Sequence, residues 1–328
     1  VLLTITIDVV KALIVIIFLM AAFGYMTLIE RKLLGRFQFR PGPNRVGPKG
    51  ILQPLADGVK LLLKEEIIPQ GVDRFIFIFA PLISLLAALL AFAVIPFGPN
   101  VHLFGRTIPL EIAGPNLGLL YVFAIASLGV YGLILAGWAS QNKYGLLGGL
   151  RSSAQIISYE LAMGLSVVGI LIFAGSASLN VIVAAQENVW FIFPQIIGFA
   201  IYLICAVAET NRAPFDLPEA EQEIVAGYHT EYTGMKFAMF FMAEYINMVT
   251  VSALATTLFL GGWHGPAFLP GVAWFLIKVA LFLFLFIWIR ATLPRIRYDK
   301  LMGFGWKILL PVALVNALGT AAWVAMIK

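Results

Sequence analysis

Charge is scarce in this chain, and so are the usual carriers of catalytic chemistry. Asp, Glu, Lys and Arg make up 12% of its 328 residues and hydrophobic residues 61%. Soluble domains carry ~25% charged residues, so this composition excludes an ordinary soluble globule and marks a polytopic membrane protein. The single cysteine, Cys205, excludes an iron–sulfur cluster, a thiolate zinc site or an internal disulfide held by this chain alone. Its place in an apolar run assigns it to packing. Three scattered histidines, His102, His229 and His264, offer no metal-ligand spacing. Walker loop, dinucleotide fingerprint, nucleophile elbow and zinc motif are all missing. Gly145, Gly148 and Gly149 do not form a phosphate loop, because no strand precedes them and no Lys-Ser/Thr pair follows. No internal repeat is present, which counts against an inverted-repeat transporter.

What the chain does have is long apolar runs. Spanning helices need about 20 such residues. Eight runs qualify, at 6–29, 75–96, 117–138, 156–178, 190–208, 237–261, 270–292 and 306–326. The expected fold is therefore an all-α integral membrane protein, with residues 1–328 forming one membrane domain. Trp138, Trp190, Trp263, Trp274, Trp288, Trp306 and Trp323 fall near predicted boundaries, as an interfacial aromatic belt requires. The chain opens at Val1 without an initiator Met, so a few preceding residues are expected, and its first apolar run is long enough to span rather than act as a cleavable signal.

Loop charge gives an orientation. Arg31, Lys32, Arg36, Arg40, Arg45, Lys49, Lys60, Lys64 and Arg74 lie between the first two spans. Lys143 and Arg151 follow the third, Arg212 and Lys236 the fifth, and Arg295, Arg297, Lys300 and Lys307 the seventh. The alternate loops carry Arg106. The positive-inside rule turns the basic loops to the cytoplasm or a matrix and both termini to the other side. The net charge of +5 is thus a topology signal rather than a nucleic-acid footprint.

The first basic segment holds a run, Pro41 to Pro48, with three prolines and two glycines in eight residues, which reads as a rigid ordered turn. A helical pattern follows. Ile51, Leu52, Leu55, Ala56, Val59, Leu62 and Leu63 share one face, while Asp57, Lys60 and Lys64 line the other. The helix is too short to span and amphipathic enough to lie in the interface. It is either a surface helix packed on the bundle or the lip of a portal for a lipid-like ligand.

Ionisable residues within or at the ends of the spans are Asp8, Lys11, Glu160, Glu209, Glu244, Lys278 and Arg290. Each costs about 2.5–3.5 kcal/mol at the bilayer centre, so such groups pair or line wet cavities. Asp8 and Lys11 lie near one end and can snorkel. Glu244 and Lys278 would pair only if both reached mid-depth. Glu160, Glu209 and Glu244 are either a proton-handling line or helix-end carboxylates in headgroup water. Tyr121, Tyr131, Tyr159, Tyr228 and Tyr245 either extend such a line or pack the core. After the fifth span, Asp216, Glu219, Glu221 and Glu223 gather four of the 17 acidic residues into eight positions. Such a loop fits proton handling or a docking surface.

Two stretches carry a family resemblance, Gly50-Ile51-Leu52-Gln53-Pro54-Leu55-Ala56-Asp57-Gly58-Val59-Lys60 and Pro214-Phe215-Asp216-Leu217-Pro218-Glu219-Ala220-Glu221-Gln222-Glu223. Supporting matches are Ile29 to Lys32, Gly42 to Pro48, Ser158 to Leu161, Ala243 to Tyr245, Ile289 to Thr292 and Arg295 to Tyr298. Over essentially its whole length the chain resembles the H subunit of bacterial NADH–quinone oxidoreductase, respiratory complex I, whose mitochondrial counterpart is subunit 1. The resemblance implies a subunit of a proton-translocating enzyme, inactive alone, in the bacterial inner (plasma) membrane. Its substrate would be a quinone, ubiquinone or menaquinone, with no iron–sulfur cluster or flavin bound by this chain. Implied partners are soluble iron–sulfur-bearing and quinone-site subunits, small membrane subunits, antiporter-like subunits and lipid. Glu30, Arg31, Arg45, Asp57, Asp216, Glu219, Glu221 and Glu223 match positions at the quinone chamber and its portal, which favours the portal reading of the amphipathic helix. Glu160, Glu209 and Glu244 match buried glutamates linked to proton pumping. One departure is Ser127, where some members carry a glutamate, so another group or a water would have to serve in the third span. Two other readings stay open: the related membrane subunit of a membrane-bound hydrogenase or other donor-linked dehydrogenase, and a stand-alone ion transporter.

Overall fold

In the computed structural model, residues 2–103, 106–217 and 221–327 are described, with side chains for 6–101, 108–217 and 223–327. Among the described residues, seven helical stretches are long and apolar enough to cross a membrane. They are α1 (Leu2–Phe37), α3 (Arg74–Phe92), α4 (Gly118–Ala139), α5 (Lys143–Ala174), α9 (Gly234–Phe259), α10 (Gly271–Thr292) and the composite Tyr298–Ile327. The composite is α11 (Tyr298–Phe304), one π-turn (Gly305–Leu309) and α12 (Leu310–Ile327). Between the long helices lie the short helices α2 (Gln53–Leu63), α6 (Leu179–Ala184), α7 (Ile196–Glu209) and α8 (Glu221–Ile224).

The expected run 190–208 holds α7, with 14 residues. At 1.5 Å per residue this is roughly 21 Å, short of the ~30 Å hydrocarbon core. Pro194 explains the late start, because its ring removes a backbone donor and clashes with the preceding turn; residues 191–195 form turns instead. Gln195 then donates to Thr320 Oγ1 at 2.7 Å and accepts from Asn316 Nδ2 at 2.9 Å, fastening this turn to α12. A second element outside the helical expectation is a two-stranded antiparallel hairpin, Val101–Leu103 with Arg106–Ile108, in the connection between α3 and α4.

α5 begins thirteen residues before the expected 156. Asn142 caps it, accepting from Tyr144 N at 2.9 Å, and its polar, glycine-rich first turns hide the helix from a hydropathy reading. Those glycines serve close packing: a Cβ on Gly148 would sit 2.6 Å from the Gly227 Cα. Asp73 caps α3 in the same way, accepting from Phe75 N and Ile76 N at 3.1 and 3.3 Å.

Burial identifies α9 as the central helix: 72% of its apolar window is buried, against 22% for α1. α1, α2, α3, α6, α7 and α10 all touch α9. Two polar side chains inside the bundle, Gln186 and Lys278, are satisfied by nearby backbone groups, as a medium without water favours. Gln186 is fully buried, donates to Ile182 O and Thr257 O, and accepts from Phe191 N and Gly261 N. Lys278 donates to the carbonyls of Leu260, Gly262 and His264 at 2.6, 3.0 and 2.6 Å and lies 4.5 Å from the Trp190 ring centroid. It therefore neutralises the unpaired carbonyls at the α9 C-terminus, and Glu244 pairs elsewhere. Cys205 is buried with a free thiol.

The Pro41–Pro48 stretch forms irregular turns followed by a short 3-10 turn, Pro48–Gly50. Gly50 (φ 76°) could not carry a side chain, which would collide with the Pro43 carbonyl. α2 follows, with none of its residues buried and its apolar stripe, including Leu55, Val59, Leu62 and Leu63, turned outward.

Candidate functional site

The last turns of α1 carry two neighbouring charges that point in different directions. Glu30 is buried and accepts Arg212 Nη1 at 2.9 and 3.1 Å, the Tyr245 hydroxyl at 2.9 Å, and Arg290 Nη1. The Arg212 guanidinium also places Nε 2.6 Å from Glu244 Oε1 and lies 4.3 Å from the Tyr245 ring centroid. The contact with Glu244 is an ion pair rather than an aligned hydrogen bond. Four elements thus meet at one buried cluster: α1, the segment after α7, α9 and the last turn of α10. Burial would pull the Arg212 pKa down, but Glu244 and Glu30 outweigh it and hold the group charged.

Beside the cluster lies a cavity of about 50 Å³ whose lining includes Glu244, Glu209, Asn211, Asn247, Ser84 and Tyr228. One water needs ~10–15 Å³ of such space, so a few waters fit among polar partners. Glu209 closes the far end of α7, with Oε2 buried and without a hydrogen-bond partner in the protein. Glu160 of α5 is near enough for its charge to act on Glu209. The Ser127 hydroxyl on α4 hydrogen-bonds to Glu160 Oε1 and lies 2.9 Å from the Phe123 carbonyl oxygen. Ser127 therefore touches the neighbouring carboxylate directly, and no added side chain is needed to connect α4 with Glu160.

On the other side of α1, Arg31 pairs with Asp57 of α2 at 2.7 Å, and Gln53 Nε2 donates to the second Asp57 oxygen at 3.1 Å. This pair lines a cavity of about 240 Å³ between α1, α2 and α9, together with Phe23, Gly24, Met235 and Phe241. The exit of α2 is tied to α9 by an ion pair between Glu66 and Lys236 and by Ile67 N donating to Thr233 Oγ1 at 3.2 Å. His229 is buried against Tyr228, Phe237 and Phe241, and burial lowers its pKa to about 4.

The two described side chains of the acidic loop, Asp216 and Glu223, pair with different arginines. Asp216 lies 3.4 Å from Arg295, which also donates to the Asp216 carbonyl. Glu223 instead pairs with Arg151 of α5 at 2.8 Å. Glu219 lies outside the described residues, and Glu221 opens α8 with its side chain outside the described set. Arg45 is exposed on the proline-rich turn. Sequence reading leaves Arg212 as a topology charge and gives Arg290 no partner, although an arginine inside an apolar helix is itself a signal that a buried acid awaits it. Among the described residues no group of three or more His, Cys, Asp or Glu side chains is arranged to hold a metal.

A family model described as NADH dehydrogenase matches residues 10–321. Curated proteins are similar across nearly the full length. An H subunit of NADH-quinone oxidoreductase from Geobacter sulfurreducens, the one numbered 1, is 55% identical, covering 96% of this chain and 94% of its own. The NADH-quinone oxidoreductase H subunit of Syntrophotalea carbinolica is 56% identical, with 98% and 97% covered. The protein of the same name from Protochlamydia amoebophila is 57% identical, with 92% of each chain covered.

Proposed function

The chain belongs to the NADH dehydrogenase family, and from that premise we propose that it forms the membrane wall of a quinone chamber and couples quinone reduction to proton movement. The observation that carries this reading is the Arg212 bridge between Glu30 and Glu244. Glu244 at one end of the bridge lines the small polar cavity that reaches Glu209, and Arg31, next to Glu30 at the other end, lines the larger α1–α2–α9 cavity.

In this reading one membrane domain of eight crossings lies in a bacterial inner membrane, α7 and its preceding turn making the fifth. Both termini lie on the non-cytoplasmic side. The outward apolar stripe of α2 supports its lying at the interface, where the quinone, ubiquinone or menaquinone, slides from lipid into the larger cavity. Arg31 and Asp57 flank that path; Arg45 and the acidic loop with Asp216, Glu219, Glu221 and Glu223 face the chamber and the soluble subunits. Those subunits supply the electrons from an iron–sulfur cluster. Smaller membrane subunits and antiporter-like subunits receive the proton signal.

Reduction of a quinone to quinol takes two electrons and two protons. Negative charge arriving on the quinone favours protonation of nearby carboxylates. Glu244 is joined to that charge through the Arg212 bridge to Glu30. A proton gained by Glu244 weakens its hold on Arg212, and the waters of the small cavity carry the change towards Glu209, Glu160 and Ser127.

The test is Glu244→Gln in the membrane-bound enzyme, with NADH oxidation followed through quinone and through a water-soluble acceptor. Loss of the quinone reaction with the soluble reaction intact is expected. Full quinone turnover with undiminished proton pumping would remove Glu244 from the path and the proposal with it.

A further inference from the structure

Gln155 sits on α5, fully buried, one turn before Tyr159. Its amide nitrogen donates to Ala208 O at 2.8 Å and Phe215 O at 2.9 Å and lies 3.3 Å from Asn211 Oδ1. Two amide hydrogens thus serve three oxygens, all on the segment that leaves α7. Ala208 belongs to the last turn of α7, and its carbonyl also accepts from Asn211 N at 3.3 Å, so the Gln155 amide adds a second, interhelical donor to this turn. The Gln155 Oε1 atom is buried without a partner. Turning the amide over would aim that oxygen at three acceptors, so its orientation is fixed by what it donates to.

These contacts close both ends of an eight-residue segment, 208–215, with Arg212 inside it. The segment is further folded by Phe215 N donating to Arg212 O at 2.8 Å, and Ile296 N holds Pro214 O at 3.1 Å. Arg212 is the cation shared by Glu30 and Glu244, and Asn211 lines the small polar cavity. We infer that Gln155 is a positioning residue: its amide holds the segment after α7 so that Arg212 stays centred between the two carboxylates. The functional half of this inference rests on the coupling role proposed above.

The variants are Gln155→Met, which keeps the length but donates nothing, and Gln155→His, which restores one N–H at similar reach. Hydrogen exchange in the intact purified complex reads the loop directly, independently of any activity. Amides of 210–217 should exchange faster in Gln155→Met than in the parent, with those of 197–205 little changed. In membranes, kcat for quinone reduction should fall roughly tenfold with KM for quinone changed less than about twofold, and protons moved per electron should fall. The rate with a water-soluble acceptor should hold, and Gln155→His should recover part of each loss. Unchanged exchange in 210–217 overturns the anchoring. Faster exchange with normal turnover and proton yield shows that Arg212 is placed by other contacts and overturns the positioning role. If Glu244→Gln alone leaves coupling intact, the functional reading fails by itself, while the exchange result still decides the anchor. Should Gln155→Met not assemble, the same exchange and kinetic comparison is made with Gln155→His, whose single donor predicts intermediate loosening and an intermediate rate; parental values for both overturn the inference.

Discussion

Arg212 and Glu30 lie 182 residues apart in the chain and meet through contacts of 2.9 and 3.1 Å from one guanidinium nitrogen. The same guanidinium lies 2.6 Å from Glu244. Removing one member of a buried ion pair costs about 3–5 kcal/mol, because the remaining charge has no solvent to return to. Arg212→Met should therefore lower the amount of assembled enzyme. Arg212→Lys keeps the charge but has no planar fork to reach two carboxylates at once. It is expected to assemble and to lose roughly tenfold or more in quinone turnover. Native gels of solubilised membranes read assembly, and the quinone assay reads turnover. Parental turnover in Arg212→Lys would mean that a point charge suffices there.

The Ser127 hydroxyl reaches Glu160 across two helices. A hydrogen bond to a charged group contributes about 1.5–3 kcal/mol. Ser127→Ala removes it while leaving helix α4 intact, since alanine is the better helix former. Quinone-linked proton pumping should fall roughly tenfold, with assembly unchanged. Proton uptake in inverted vesicles checks this; undiminished pumping would show that Glu160 works without the contact.

Much of this fold is readable because lipid imposes a simple code: apolar length marks a span. The code fails where a helix opens with polar residues and glycines, as α5 does at Lys143, and where Pro194 cuts an apolar run into a turn and a short helix. Glu160, Glu209 and Glu244 stand out because acids are costly in apolar surroundings, and Glu30 through the family resemblance. Their partners do not stand out. Arg212 counts as one more basic loop residue, and nothing local ties Ser127 to Glu160 or Gln155 to the segment after α7. Those contacts depend on how helices cross, which no short-range pattern encodes. Lys278 is legible as an intramembrane cation, but its partners are backbone carbonyls, which carry no side-chain signature.

His229 adds a pH dependence. Its pKa is lowered by burial from 6.5 to about 4. Above pH 6.5 the imidazole is neutral in folded and unfolded chains and costs nothing. As pH falls below 6.5 the unfolded chain takes up the proton first, so stability is lost progressively until the folded chain also protonates near 4. Between pH 7 and pH 5 the loss amounts to roughly 2 kcal/mol. Thermal melting of the purified enzyme should shift down over that interval, and His229→Phe should flatten the shift. An equal shift in the variant would assign the effect to other groups.

Lys278 of α10 caps the C-terminal end of α9, whereas Glu244 lies in the N-terminal half of that helix. The carbonyls that Lys278 caps begin at Leu260, sixteen residues beyond Glu244, which is roughly 24 Å at 1.5 Å per residue. They share no partner: Glu244 contacts Arg212, and Lys278 contacts three carbonyls and the Trp190 ring. Lys278→Met should lower stability by about 1.5–3 kcal/mol, the scale of charged hydrogen bonds at a buried helix end, while leaving quinone turnover near the parental value. Glu244→Gln should abolish turnover as well as lower stability, because it removes one partner of the buried Arg212 pair. Distant sites without common partners add to within ~0.5 kcal/mol. The double variant should therefore melt at the sum of the two shifts. A coupling well above that margin would mean that α9 transmits the state of its Glu244 half to its capped end as a rigid rod, and the cap would then belong to the coupling path rather than to the scaffold alone.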